Sequence, residues 1–350
     1  MSYELRELKL ENDRSFLVEI LEKNLLFSNG ANGVLNWNDS AVRYSSECMI
    51  IEHKVDDHTY EKIGNICTYY RNFCFFKKKF KAGVFGNLVI DEKHRSLQPA
   101  LILVKGNTNK SIEKSSFLYV FPNKKAIGLF KLAGFKSVGK LTRYSYLNSY
   151  SYYMSEHIPF VGSVIGTVID RFRYALISVQ CSINNRKYTT IIENSFPEFY
   201  EDFFKKSFLS QFICSYRDAE YMKWRYIDNP EHDYQIMNCY EECNNETKLI
   251  SSCVFTVVEN ILSISDMVFI DKKGFKIITL SLKKWALKRH LRSISIRYMG
   301  SDIFKNMLIS NGFHERESDW DFVTKSADAK ILSTLIDPNN WYILDGDEDI

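Results

Sequence analysis

One order of elements occurs twice in this 350-residue chain: strand, charged turn, helix, strand, helix, Gly-Phe. That repeat limits the fold more than any single motif. In the first copy the apolar run Leu88-Val89-Ile90 has strand length, and Asp91 to Arg95 is a charged turn at its end. Leu97, Ala100, Leu101, Leu103 and Val104 follow at helical spacing. Phe117 to Phe121 is the next strand, and Pro122-Asn123 closes it. Lys124 to Ala133 is an amphipathic helix that stops at Gly134-Phe135, and a strand covers Ser137 to Tyr146. In the second copy Lys248–Val258 and Ile261–Phe269 form a hairpin around Glu259-Asn260. A helix over Gly274–Arg289, a strand over Ser293–Tyr298 and a helix over Ser301–Ser310 lead to Asn311-Gly312-Phe313. The pattern predicts an α+β protein of two related halves.

The other segments fit around these copies. A strand is expected over residues 4–10, a helix capped by Glu11-Asn12-Asp13, a loop over Asn29–Gly33, and strands over Cys48–His53 and Lys62–Phe76 before the basic turn Lys77–Lys81. Asn148–Tyr153 reads as a Tyr/Ser-rich linker. Glu156–Tyr174 then reads as a helix, Ala175–Cys181 and Tyr188–Ile192 as strands, and Phe196–Phe208 as a helical stretch. Arg217 to Asp228 is a helix that ends before Pro230. The expected units are 1–147, a connecting segment 148–208, and 209–350. The last ends in a solvated acidic tail of Asp345, Asp347, Glu348 and Asp349.

Charge and cysteine usage bound the function. Basic and acidic residues number 46 and 43, a net +3 that gives no warrant for a nucleic-acid partner. The eight cysteines form no CxxC pair, so no metal is expected. Buried free thiols in a reducing compartment are the reading, and with it a cytoplasmic protein. The apolar run Ile158–Ile169 is too short to span a bilayer and reads as a buried or interfacial helix. No nucleophile elbow and no HExxH occur, which leaves hydrolase and zinc-protease chemistry without support.

A helix that starts just after a strand end offers unpaired N–H groups and the positive end of its dipole to an anion, and phosphate is the usual guest. Arg95 and His94 sit where they add charge to that site. Arg95-Ser96-Leu97-Gln98-Pro99-Ala100, Tyr119-Val120-Phe121-Pro122-Asn123-Lys124-Lys125-Ala126 and Ala133-Gly134-Phe135, in this order, resemble the GNAT superfamily of acyl-CoA-dependent N-acyltransferases. In the second half Tyr221-Met222-Lys223-Trp224-Arg225-Tyr226, Pro230, Tyr234 and the ending Trp341 to Asp347 look like a tandem subgroup of that family, a resemblance that implies a docking role for Trp341 and Asp345. The resemblance implies two GNAT-like halves, each a mixed, mostly antiparallel sheet flanked by helices. It also implies one acyl-CoA site, because Lys272-Lys273-Gly274 lacks the turn pattern.

By that resemblance Leu88, Val89, Ile90, Arg95, Ser96, Leu97, Gln98, Ala100 and Asn123 would contact acetyl-CoA or another acyl-CoA, Asn123 being equally a helix cap. Tyr119 would protonate the leaving thiolate if its ring faced the cleft. Glu92 or His94 would take the amine's proton, a role that suits histidine near neutral pH. Trp224, Arg225 and Tyr226 are either a substrate floor or a core anchor. The implied function is acyl transfer, most simply acetyl, to a primary amine, with a nucleotide-linked amino sugar of cell-surface polysaccharide synthesis as first guess. Gln98 stands where the family has glycine, which leaves a GNAT-fold binding or scaffold protein as the alternative. An aminoacyl-tRNA-dependent transferase is a third reading, against which the charge balance argues.

Overall fold

The computed structural model describes residues 2–40, 45–158, 161–184, 187–243 and 246–348. Pro159-Phe160 and Asp349 therefore lie outside the described residues, as does the side chain of Cys243. The chain opens with β1 (Ser2–Glu7), α1 (Leu10–Asn24) and α2 (Gly30–Asp39). The meander β2 (Ser46–Lys54), β3 (Tyr60–Phe75) and β4 (Lys78–Ile90) leads to α3 (Leu97–Ile112), β5 (Phe117–Val120), α4 (Ile127–Leu132) and β6 (Lys136–Leu147). Next come α5 (Tyr150–His157), α6 (Gly162–Asn184), β7 (Tyr188–Glu193), α7 (Tyr200–Lys206), β8 (Ile213–Ser215) and α8 (Ala219–Met222). The second copy is β9 (Gln235–Cys243), β10 (Glu246–Val258), β11 (Ile261–Phe269), α9 (Lys272–Lys288), β12 (Ser293–Gly300), α10 (Asp302–Ser310) and β13 (His314–Lys325). The chain closes with α11 (Ala329–Leu335) and β14 (Tyr342–Leu344).

The two copies do not close separate sheets. Among the described residues fourteen strands form one sheet, in which β5, β13, β6 and β12 are consecutive neighbours. The strand after Gly134-Phe135 thus pairs with β12, and the strand after Gly312-Phe313 pairs with β5. Each half receives its closing strand from the other. The chemistry that starts both strands is the same. Gly134 and Gly312 take positive φ (+91° and +81°), and the next N–H returns to the helix, Phe135 to Phe130 O and Phe313 to Leu308 O at 3.1 Å.

Helices cover both faces of the first half. Leu103 and Val104 of α3 and Phe130 before Gly134 pack on Ile51, Ile66, Phe85 and Val120. Leu17, Ile20 and Leu21 of α1 and Leu35 of α2 pack on Val89, which faces the other way. Phe117, Tyr119, Phe322, Trp341 and Ile343 join the halves in one aromatic-rich cluster.

Several sequence expectations give way to packing. The Gly-rich segment from Asn29 becomes α2 because Ala31, Val34, Leu35 and Trp37 are buried. Ala175–Cys181 continues α6 rather than forming a strand. Its β-branched residues fit a helix surface, and Val164, Val168, Phe172, Val179 and Ile183 leave one face of it exposed. The Arg217 segment is the short α8 followed by a π-helical turn over Lys223–Ile227. No helix among the described residues is long and apolar enough to cross a membrane.

The thiol expectation is corrected at one place. Cys48 and Cys67 stand directly opposite each other on β2 and β3 and are joined in a disulfide. Cys74, Cys181, Cys214, Cys239 and Cys253 are buried and free. Joining residues 19 apart removes loop entropy from the unfolded chain, on the order of 3 kcal/mol. A Cys48→Ser/Cys67→Ser variant is expected to lose about that much in urea unfolding. An unchanged midpoint for the intact protein under reductant would show that the bond does not form.

Candidate functional site

The first half holds an opening built into its sheet. β4 and β5 run parallel and pair only from Ala82–Val84 to Phe117–Tyr119. Beyond Val84, β4 continues to Ile90 without β5. A bulge opposite Asn65–Cys67 turns β4 there, with Asn87 at φ +54°. Asn65 Nδ2 holds the Asn87 carbonyl at 2.8 Å, and Asn87 Nδ2 donates to the Tyr69 hydroxyl at 2.6 Å. The Asp91 N–H bonds Ile63 O at 2.6 Å, so by alternation the Leu88 and Ile90 N–H groups point the other way, into the gap.

α3 starts at the mouth of that gap. Its N-cap, Ser96, makes no side-chain cap bond, which leaves the Leu97 and Gln98 N–H groups to a ligand or solvent. Pro99 lies in the first turn, where it has no N–H to lose. Arg95 folds back over the site. Its Nη2 donates to Asn24 Oδ1 at 2.6 Å, and its guanidinium reaches Ile90 O at 3.4 Å. Gln98 is exposed. The arrangement can hold an anion at the helix end and an extended chain between β4 and β5.

The corresponding place in the second half is closed twice. β11 and β12 pair in parallel from Ile261–Ile264 to Ser293–Ile296 and then part. β14 pairs with Tyr298–Gly300 on the side of β12 away from β6, and so occupies the gap. The Tyr342 hydroxyl donates to Met267 O at 2.9 Å and ties β14 to β11. At the start of α9 the Asp271 carboxylate accepts the Lys273 and Gly274 N–H groups at 2.9 Å, so the helix caps itself.

The segment from Asp345 to Glu348 is docked rather than solvated, as the resemblance implies for Asp345 and against the solvated reading of Asp347 and Glu348. Asp347 is buried, accepts the Leu344 N–H at 2.9 Å and pairs with Arg217 at 3.2 Å. Arg217, itself buried, also grips Asp266 at 2.8 Å. Burial pushes the Asp266 carboxyl up, Arg217 opposing, and the Tyr226 hydroxyl donates to it at 2.9 Å. Asp345 pairs with Arg297 at 2.7 Å, and burial outweighs that arginine to push its carboxyl up to about 6. Arg71 and Arg225 hold the backbone carbonyls of residues 346–348.

These contacts place several of the residues given roles by sequence. Tyr119 is fully buried, and its hydroxyl donates to Asp347 O at 3.1 Å, so it is no free acid in the gap. Trp224 stacks on Trp37 with ring centres 4.6 Å apart, each indole N–H donating to the other residue's carbonyl. Trp224 and Tyr226 are core anchors, and Arg225 alone of the three reaches a cavity. Asn123 Oδ1 accepts the Lys125 and Ala126 N–H groups, which makes it a cap. Glu92 is exposed. His94 lies 3.7 Å from Glu61 of β3 and against the His53 ring of β2.

A groove of about 1300 Å³ lies on the second half, floored by β6, β11, β12 and β13 and walled by α5 and the segment from Arg225 to Tyr234. Arg143, Arg297, Asp345 and Glu348 line it. Glu348 follows Asp347, and Asp345 lies two residues before it; the Asp347 carbonyl accepts the Tyr119 hydroxyl, and Tyr119 stands at the end of the β4–β5 pairing. Sequence reading gave Asp345 only a docking role by resemblance and missed Arg297, because nothing local shows that the two meet in a groove.

A bulged strand parting from its parallel neighbour before an uncapped helix, within a mostly antiparallel sheet, decides the family of folds. The chain has the GNAT fold. No protein-family model matches it, and neither does any curated protein. Solved structures do. One from Enterococcus faecalis, described as a "Probable N-Acyltransferase", matches with TM-score 0.64 and 8% identity, over 93% of this chain and 73% of that one. A GCN5-related N-acetyltransferase from Anabaena variabilis gives 0.61 and 10%, over 93% and 73%. Saccharomyces cerevisiae N-myristoyltransferase with bound myristoyl-CoA gives 0.53 and 12%, over 92% and 82%. Identities this low concern the GNAT fold alone.

Proposed function

We propose that the protein is an acyl-CoA-dependent N-acyltransferase with one acyl-CoA site, in the gap between β4 and β5. The observation that carries this reading is the contrast between the halves: an open gap with an uncapped helix in the first, β14 and Asp271 filling both places in the second. The pyrophosphate sits at the start of α3 beside Arg95, and the Leu88 and Ile90 N–H groups polarise the thioester carbonyl. Attack by the amine on that carbon expels the thiolate of CoA, so catalysis here is largely alignment of two substrates. Asp345 takes the amine's proton, its raised carboxyl being suited to a base near neutral pH. The acceptor is a primary amine.

Calorimetry with acetyl-CoA tests the site. Saturable binding is expected, weakened at least about tenfold in Arg95→Ala, which removes a charge-assisted donor to phosphate. No binding by the intact protein at millimolar acetyl-CoA would sink the reading.

A further inference from the structure

We propose that the groove beside Asp345 binds a nucleoside diphosphate, or a ligand built on one. Strand register fixes the chemistry of its floor. Arg297 on β12 stands opposite Arg143 on β6, and Arg143 stands opposite Arg316 on β13. Three guanidinium side chains therefore form one row across three adjacent strands, all lining the groove. Like charges at directly opposed positions of a sheet destabilise the pairing. Among the described residues only Arg297 of the three is neutralised, by Asp345 at 2.7 Å and Glu348 at 3.3 Å. Among the described residues no carboxylate forms an ion pair with Arg143 or Arg316. The protein keeps a repulsive row where a dianion would neutralise it.

The surroundings select the anion. The next row of the floor is hydroxyl-rich, with Ser263, Ser295 and Ser145 as successive register partners. Neighbouring strands lie about 4.8 Å apart, which sets adjacent guanidiniums to grip linked phosphates from both sides. The walls are aromatic. Tyr152 of α5, with Arg292 over its ring at 5.0 Å, faces the groove from one side and Tyr234 from the other. Such rings stack on a base or cover a sugar. Phosphate on the floor and a ring against the wall together describe a nucleoside diphosphate.

This inference rests on the acyltransferase reading only for the ligand's role, that of the amine acceptor; the binding itself does not depend on it. Coenzyme A also carries a nucleoside diphosphate, so competition must separate the two. Calorimetry on the full chain with uridine diphosphate is expected to show micromolar binding, unchanged by saturating acetyl-CoA and weakened at least about tenfold in Arg143→Ala/Arg316→Ala. Without ligand that double variant is expected to melt at or above the temperature of the intact protein, since repulsion is relieved. Absent binding at millimolar uridine diphosphate, equal affinity in the double variant, displacement by acetyl-CoA, or a lowered melting temperature would each overturn the proposal. Uridine diphosphate binding without any acetyl-CoA binding would instead remove the acyltransferase reading and leave this one standing.

Discussion

Arg217→Ala is expected to cost about 3–5 kcal/mol, enough to unfold a marginally stable domain at physiological temperature. The arginine is wholly buried between Asp266 and Asp347, and it also donates to Ser215 O at 2.7 Å. Truncating it leaves two buried carboxylates without their counter-charge. It also frees the carboxylate that holds β14 through the Leu344 N–H. Urea unfolding measures the loss. A cost under about 1 kcal/mol would mean that water enters the cluster and that the tail is not locked as described. Arg217→Met/Asp266→Leu/Asp347→Leu is a useful control, because replacing a whole buried charge cluster by apolar residues is often near neutral. If that variant folds and still binds acetyl-CoA, the cluster serves architecture alone.

Asp345→Asn is expected to lower kcat by about 10²–10⁴ while leaving acetyl-CoA binding intact, since the proposed thioester site lies at β4 and α3. The pH dependence is the sharper readout. Asp345 must be ionised to accept the amine's proton, so kcat/KM of the intact protein is expected to rise through pH about 6. The variant should lose that limb. Stability must move in the opposite sense. A folded carboxyl raised above its ordinary value means that the folded state binds the extra proton. The stability it contributes is complete below about pH 4 and is lost as pH rises to about 6. Asparagine cannot ionise, so the variant should gain relative to the intact protein between pH 4 and 7. Activity within tenfold of the intact protein, with the acid limb retained, would remove Asp345 as the base.

The gap at β4 was legible because its signals are local. Leu88-Val89-Ile90 announces a strand and Leu97 to Val104 a helix, and the charged turn between them places a helix end beside a strand end. The roles given to Tyr119 and Trp224 were not legible. A tyrosine mid-strand reads the same whether its ring meets a ligand or the Asp347 carbonyl, and Trp37 lies 187 residues from the indole that it grips.

What the sequence determined by itself is the repeated order of elements, down to the two Gly-Phe helix ends, because periodicity and left-handed caps are written within a dozen residues. Tertiary structure alone decided which strand each half closes with, that β14 fills the second gap, and that three arginines 19 to 173 positions apart share one row. Those outcomes depend on strand register and on where the chain's end docks. Both are set by long-range burial, around Trp341 and the Arg217 cluster, and no local pattern encodes them.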